Sequence, residues 1–198
     1  SRIYSYSGLT GAQAAAQILR QAGIYDVRIE HVSGNLTDHY DPKARVLRLS
    51  DSVYGSNSVA AIGVAAHECG HAIQDQEDYV PLRFRSAFVP VANLGTQVAF
   101  PILLLGVFLG SSHFLIQVGL LCFLFGVLFQ LITLPVEFNA SGRAVRILRE
   151  TGMMSDDELS KTKKVLSAAA MTYVAAAAAS ILSMLRLIIL FGGNRRRD

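Results

Sequence analysis

The sequence predicts an α+β fold that is mostly α, and three observations carry the prediction. Residues 86–136 form a run of fifty-one positions with no Asp, Glu, Lys or Arg, long enough for two helices of about 20 residues each. Ahead of that run, short alternating segments bounded by turn residues read as a small antiparallel sheet. Behind it, residues 165–191 are apolar and alanine-rich, as in a further long helix. Composition agrees: 52% hydrophobic and 17% charged residues, with mean hydropathy +0.37, exclude disorder and argue against a purely soluble protein. At 198 residues one domain is expected, divided into 1–88, a hairpin at 89–136, 137–164 and a C-terminal part at 165–198.

The elements follow in order. Thr10 is a helix N-cap and Gly23 the residue that closes the same helix, which covers about 12–22. Val27 and Ile29 alternate with Arg28 and Glu30 as in a strand. Ser33-Gly34-Asn35 and Asp41-Pro42 are turn sequences, and a second strand runs from Arg45 to Leu49. Any of Ser56, Asn57 and Ser58 caps the next helix, which begins at Val59 and ends near Gln76.

The uncharged run breaks at Gly110-Ser111-Ser112-His113, giving spans near 90–110 and 114–134. Burying such a hairpin inside a soluble core would need more surrounding chain than is present. Its flanks carry eight Lys/Arg in 1–88 and six in 137–164, and its turn carries none, so the flanks are expected on the cytoplasmic side. In the alanine-rich stretch, Arg186 opposes insertion by roughly 2.5–3.5 kcal/mol at a bilayer centre but can snorkel near an end. Whether 165–191 spans or packs against the rest stays open, and with it the side that receives Arg195-Arg196-Arg197. The first residue is Ser1, not Met, so a preceding segment is expected. Cys69 and Cys122, each within a helical stretch, form no disulfide framework. The net charge of +3 has no basic cluster interleaved with aromatics, so nucleic acid is not an expected partner.

On the capped helix stands His67-Glu68-Cys69-Gly70-His71, an H-E-x-x-H motif. Residues four apart share one helix face, so both imidazoles can reach one cation, and Glu68, about 100° round, can reach a water on it. Zinc lowers the pKa of such a water from about 15.7 to about 7, and Glu68 accepts its proton and later protonates the leaving amine. The lead-in Ala60-Ala61-Ile62-Gly63-Val64-Ala65-Ala66 is almost wholly apolar, unlike a solvated helix.

A catalytic zinc takes three protein ligands. The extended pattern with a third histidine on the same segment fails, because Gln74 and Glu77 occupy its glycine and histidine positions. The best candidate is Glu137, the first charge after the uncharged run, since a lone carboxylate among apolar neighbours is costly unless paired or bound to metal. The competing reading is a carboxylate favoured by the helix start after Pro135. His113, in the turn on the far side, is about 30 Å away by this topology. His31 reads as structural. His39 and Tyr173 are candidates for stabilising an oxyanion, against the plainer readings of a surface turn histidine and an interfacial tyrosine.

The segments Leu36-Thr37-Asp38-His39-Tyr40-Asp41-Pro42, Ala65 to Gln74, Leu134-Pro135-Val136-Glu137-Phe138-Asn139-Ala140-Ser141 and Thr172-Tyr173-Val174 resemble the YugP-type neutral zinc metallopeptidases of bacterial membranes. The resemblance covers nearly the whole chain. It implies a small zincin-like part, a transmembrane helix ahead of Ser1, one zinc ion on His67, His71 and Glu137, and Glu68 as base. The chain is similar, more distantly, to the HtpX and CAAX prenyl protease class, which has an aspartate four residues after the ligand glutamate. Ser141 stands there instead, so Asn139 or Ser141 would have to hold a ligand imidazole by a weaker hydrogen bond.

The expectation is therefore a multi-pass zinc endopeptidase of the bacterial inner membrane with its site on the cytoplasmic face, in contact with lipid and acting on unfolded or membrane-proximal polypeptides. Two alternatives use the same residues: a silent membrane scaffold with a structural zinc, and a zinc hydrolase of a non-peptide amide or a lipid. Nothing in the sequence fixes an oligomeric state.

Overall fold

A computed structural model describes residues 3–192, so Ser1 and the Arg195–Arg197 tail lie outside the described residues. The order is α1 (Gly11–Gln21), β1 (Arg28–Val32), β2 (His39–Asp41), β3 (Val46–Ser50), α2 (Val59–Gln76), α3 (Val80–Phe108), α4 (His113–Glu150) and α5 (Asp156–Gly192). The chain is α+β and mostly helical. It divides into two units, one made of the residues up to Leu82 with Val136–Ala170, the other of Arg83–Pro135 with α5 from Met171 onward.

In the first unit the helix ends follow local chemistry. Thr10 Oγ1 accepts from the Gln13 backbone N–H, and Gln13 Oε1 accepts from that of Thr10, a complete capping box. Gly23, at φ +71°, takes the left-handed conformation that ends α1. The apolar face of α1, with Ala14, Ala15, Ile18 and Leu19, is buried in a core shared with α2 and the sheet. Ser58 caps α2 by accepting from Ala61 N–H at 3.2 Å.

The sheet is mixed, not antiparallel as its sequence suggests. Its order is β1-β3-β2; β1 runs parallel to β3, pairing Arg28 with Val46, and β2 runs antiparallel to it, pairing His39 with Arg48. The short strand β2 decides this. The chain leaves β1, reaches the far side of β3 through residues 33–38, and only then turns back through 42–45 into the central strand. Asp38 pins the crossing, its carboxylate accepting from Ser50 N–H at 2.8 Å and Ser50 Oγ–H at 2.9 Å. Arg45 fastens the sheet to the end of α2 by donating to Asp26 and, at 2.7 Å, to Asp75.

The helix α2 is almost entirely enclosed and has small residues at its crossings. A Cβ on Gly70 would stand 2.7 Å from the Ala140 carbonyl oxygen on α4, and one on Gly63 would stand 2.8 Å from Thr162 Cγ2 on α5. The Gly70 obstacle is backbone, which cannot rotate away. Gly70→Ala is therefore expected to lower stability by about 1–3 kcal/mol through overpacking, against a helix-propensity gain of at most about 1 kcal/mol. Thermal unfolding in detergent measures the balance, and an unchanged Tm would mean that the two helices have room to spare.

In the second unit α3 and α4 form the expected hairpin. Their contact is again built on glycines: a Cβ on Gly95 would meet Cys122 O at 2.7 Å, and one on Gly126 would meet Thr96 Cγ2 at 2.5 Å. Gly110 and Ser111, with φ of +74° and +60°, make the turn, closed by Ser112 N–H donating to Gly106 O at 2.8 Å. The helices α3, α4 and α5 are long and apolar enough to cross a membrane. Large apolar side chains on them face outward, Phe100, Leu182 and Ile189 being 60%, 66% and 76% exposed, which a buried hairpin in a soluble core would not allow.

Candidate metal centre

The site lies within the first unit, where α2 meets α4. His67 and His71 are one turn apart on α2, with ring centroids 4.8 Å apart and planes at 85°. Close approach at Gly70 sets α4 against that face, with Val136, Ala140 and Ala144 buried. Between Val136 and Ala140, Glu137 turns its carboxylate to the imidazoles and is only 3% exposed. Its Oε2 lies 3.3 Å from His67 Nε2 and 3.7 Å from His71 Nε2, and one donor atom from each residue falls within 4.8 Å of the others.

This donor set fits zinc. Ligands about 2.0–2.1 Å from a tetrahedral ion stand about 3.3–3.4 Å apart, close to both carboxylate–imidazole separations. The other nitrogen of each ring is occupied. His67 Nδ1 is 3.1 Å from Ser141 Oγ, and His71 Nδ1 is 3.0 Å from Gln74 Oε1, which leaves both Nε2 atoms for the shared space. Burial by itself lowers the proton affinity of His71, but the adjacent Glu137 carboxylate and the Glu68 charge outweigh it and hold the pKa above that of an ordinary imidazole. Glu68 is buried at 8% exposure and makes no hydrogen bond or ion pair among the described residues, so its carboxylate is not committed to another group.

The remaining candidates are distributed as follows. Ser141 touches His67, whereas Asn139 meets neither ring and accepts at Oδ1 from Gln74 Nε2 and Arg143 Nε. His39 is not in a turn; it begins β2, exposed, with Nδ1 on Thr37 O at 2.8 Å and Nε2 against Arg48 Nη1 at 3.3 Å. None of these hydrogen bonds reaches the cluster. Tyr173 is half-buried on α5 in the second unit. His31 holds Asp51 at 2.6 Å, in keeping with a structural role, and His113 begins α4 beside Gln117.

Two residues beside the site escaped the sequence reading: Gln74, fully buried, and Arg143, which bonds Asn139 at 2.7 Å and Glu77 at 2.7 Å. Gln74 was legible in principle. It lies three residues after His71, on a helix whose other inward residues are apolar or in the motif, where an amide side chain requires partners.

Among known proteins, the chain is 51% identical over 168 residues to the "Putative membrane protease YugP" of Bacillus subtilis, an alignment covering 85% of this chain and 74% of that protein. No solved structure matches it. The sequence model of the family described as "Putative neutral zinc metallopeptidase" matches residues 1–192, and the chain belongs to that family.

Proposed function

We propose that the protein is a membrane-embedded endopeptidase in which His67, His71 and Glu137 hold one zinc ion and Glu68 is the general base. The observation that carries this reading is the convergence of the Glu137 carboxylate on the Nε2 atoms of both motif histidines. Zinc, when bound, supplies Lewis acidity that acidifies water and polarises a carbonyl. Glu68 takes the proton from the attacking water on one carboxylate oxygen and hands it to the amide nitrogen as the C–N bond breaks, so it ends each turnover ionised. Glu137 contributes negative charge opposite two neutral rings. Ser141 and Gln74 hold those rings by their Nδ1 atoms.

The alternative of a structural zinc is less well supported. Structural sites have four protein ligands, and among the described residues three donors come together. The open position suits water. The name of the Bacillus relative, a membrane protease, favours a peptide over another amide as substrate. An extended polypeptide could add along a free edge of the sheet, β1 or β2. The three apolar helices and the basic flanks of the hairpin support a multi-pass protein of the bacterial inner membrane with its site on the cytoplasmic face.

The test is chelation. Detergent-purified protein is expected to cleave an unfolded casein-type substrate, to lose that activity to a chelator and to regain it with zinc. Reloading is expected to weaken as pH falls, because zinc displaces a proton from His71, whose affinity for it is raised, so the loss starts at higher pH than an ordinary imidazole gives. Uptake independent of pH between about 6 and 8 would contradict the ligand set.

A further inference from the structure

Gln74 is fully buried, and all of its side-chain polar atoms have partners. Its Nε2 donates to the Val136 backbone oxygen at 2.9 Å and to Asn139 Oδ1 at 2.9 Å. Asn139 Oδ1 in turn accepts from Arg143 Nε at 2.7 Å, so the cationic side chain keeps that oxygen facing inward. With both acceptors opposite Nε2, the amide of Gln74 can take only one orientation. Its Oε1 must then face His71 Nδ1, at 3.0 Å. A carbonyl oxygen only accepts, so the proton of His71 sits on Nδ1 and its Nε2 lone pair points to the space shared with Glu137. His67 has a more permissive partner, since the Ser141 hydroxyl can donate or accept.

We propose that Gln74 is a positioning residue of the metal centre, selecting the Nε2 tautomer of His71 and fixing its ring through an amide locked between the Val136 carbonyl and an Asn139–Arg143 pair. The same side chain joins the helix that carries both histidines to the helix that carries Glu137. This rests on the zinc reading above, and partners of metal-bound imidazoles elsewhere contribute about 10–100-fold to metal affinity.

Two substitutions separate the role from simple packing. Gln74→Leu removes the acceptor for His71 and both donors. Gln74→Glu keeps an acceptor facing Nδ1 but sets a carboxylate against two oxygens. Zinc affinity is measured on the full detergent-purified chain by competition with a chromophoric chelator, and folding by circular dichroism. Gln74→Leu is expected to weaken zinc binding by about 10–100-fold, and Gln74→Glu to bind at least as tightly as wild type despite a lower Tm. Wild-type affinity in Gln74→Leu, or equal weakening in both variants, would overturn the proposal. If the leucine variant does not fold, the glutamate variant decides alone, a loss of tenfold or more counting against the proposal. Wild-type protein and His71→Ala are measured alongside. Equal zinc affinity in those two would mean that the ligand assignment itself has failed, an outcome distinct from failure of the Gln74 role.

Discussion

Glu68→Gln is expected to lower kcat/KM for a peptide substrate by about 10²–10⁴-fold, the usual contribution of a positioned general base, while zinc content stays at the wild-type level. Glutamine has nearly the same volume as glutamate, so the enclosed site keeps its packing. The amide cannot take a proton from water at neutral pH. Glu68 lies next to His67 on α2, is 8% exposed, and makes no hydrogen bond or ion pair among the described residues that the substitution would break. Zinc content by metal analysis and turnover on the same preparation separate the possible outcomes. Retained turnover would remove Glu68 from the chemistry and favour a scaffold; lost zinc would make it a ligand or a support for one.

Glu137→Ala is expected to weaken zinc binding by at least about 100-fold, because deleting a ligand exceeds the effect of deleting a ligand's partner. The carboxylate is the negative member of the cluster and the donor that α4 supplies. Its removal leaves two imidazoles on one helix face, a bidentate site open to solvent exchange. Metal analysis of the purified variant beside wild type reads the result directly. Unchanged occupancy would end the assignment of Glu137 and return it to the role of a buried carboxylate beside two histidines. The two variants are complementary: one separates chemistry from metal, the other metal from fold.

Much of the first unit is legible in the sequence because its helix ends are decided locally. Thr10 with Gln13, and Ser58 with Ala61, satisfy backbone groups within one turn, and the structure starts α1 and α2 there. A third signal of the same kind stands at the start of the last helix. Ser155 and Glu158 form a capping arrangement, Glu158 Oε2 accepting from Ser155 N–H at 2.8 Å. The last helix accordingly begins at Asp156, well before the apolar stretch at 165. Strand direction was not legible, because whether β1 lies parallel or antiparallel to β3 depends on the side from which β2 is added. Alternation within one strand carries no information about that.

The sequence by itself determined the pair of imidazoles, since the four-residue spacing on a capped helix puts both on one face whatever surrounds it. It also singled out Glu137, as the first charge after a long uncharged run, as the candidate third ligand, without giving the packing that would bring it to the histidines. The tertiary structure decided the meeting: Gly70 lets the Ala140 backbone come close, and Glu137 then reaches both rings across the sixty-five residues that separate it from His71. Packing also supplied what the sequence could not show, the Val136 and Asn139 partners of Gln74 on α4 and the Glu77 partner of Arg143 beyond the end of α2. Hydrogen-bond geometry depends on separations of a few tenths of an ångström between elements, and such distances are set by side-chain volumes from both sides of an interface.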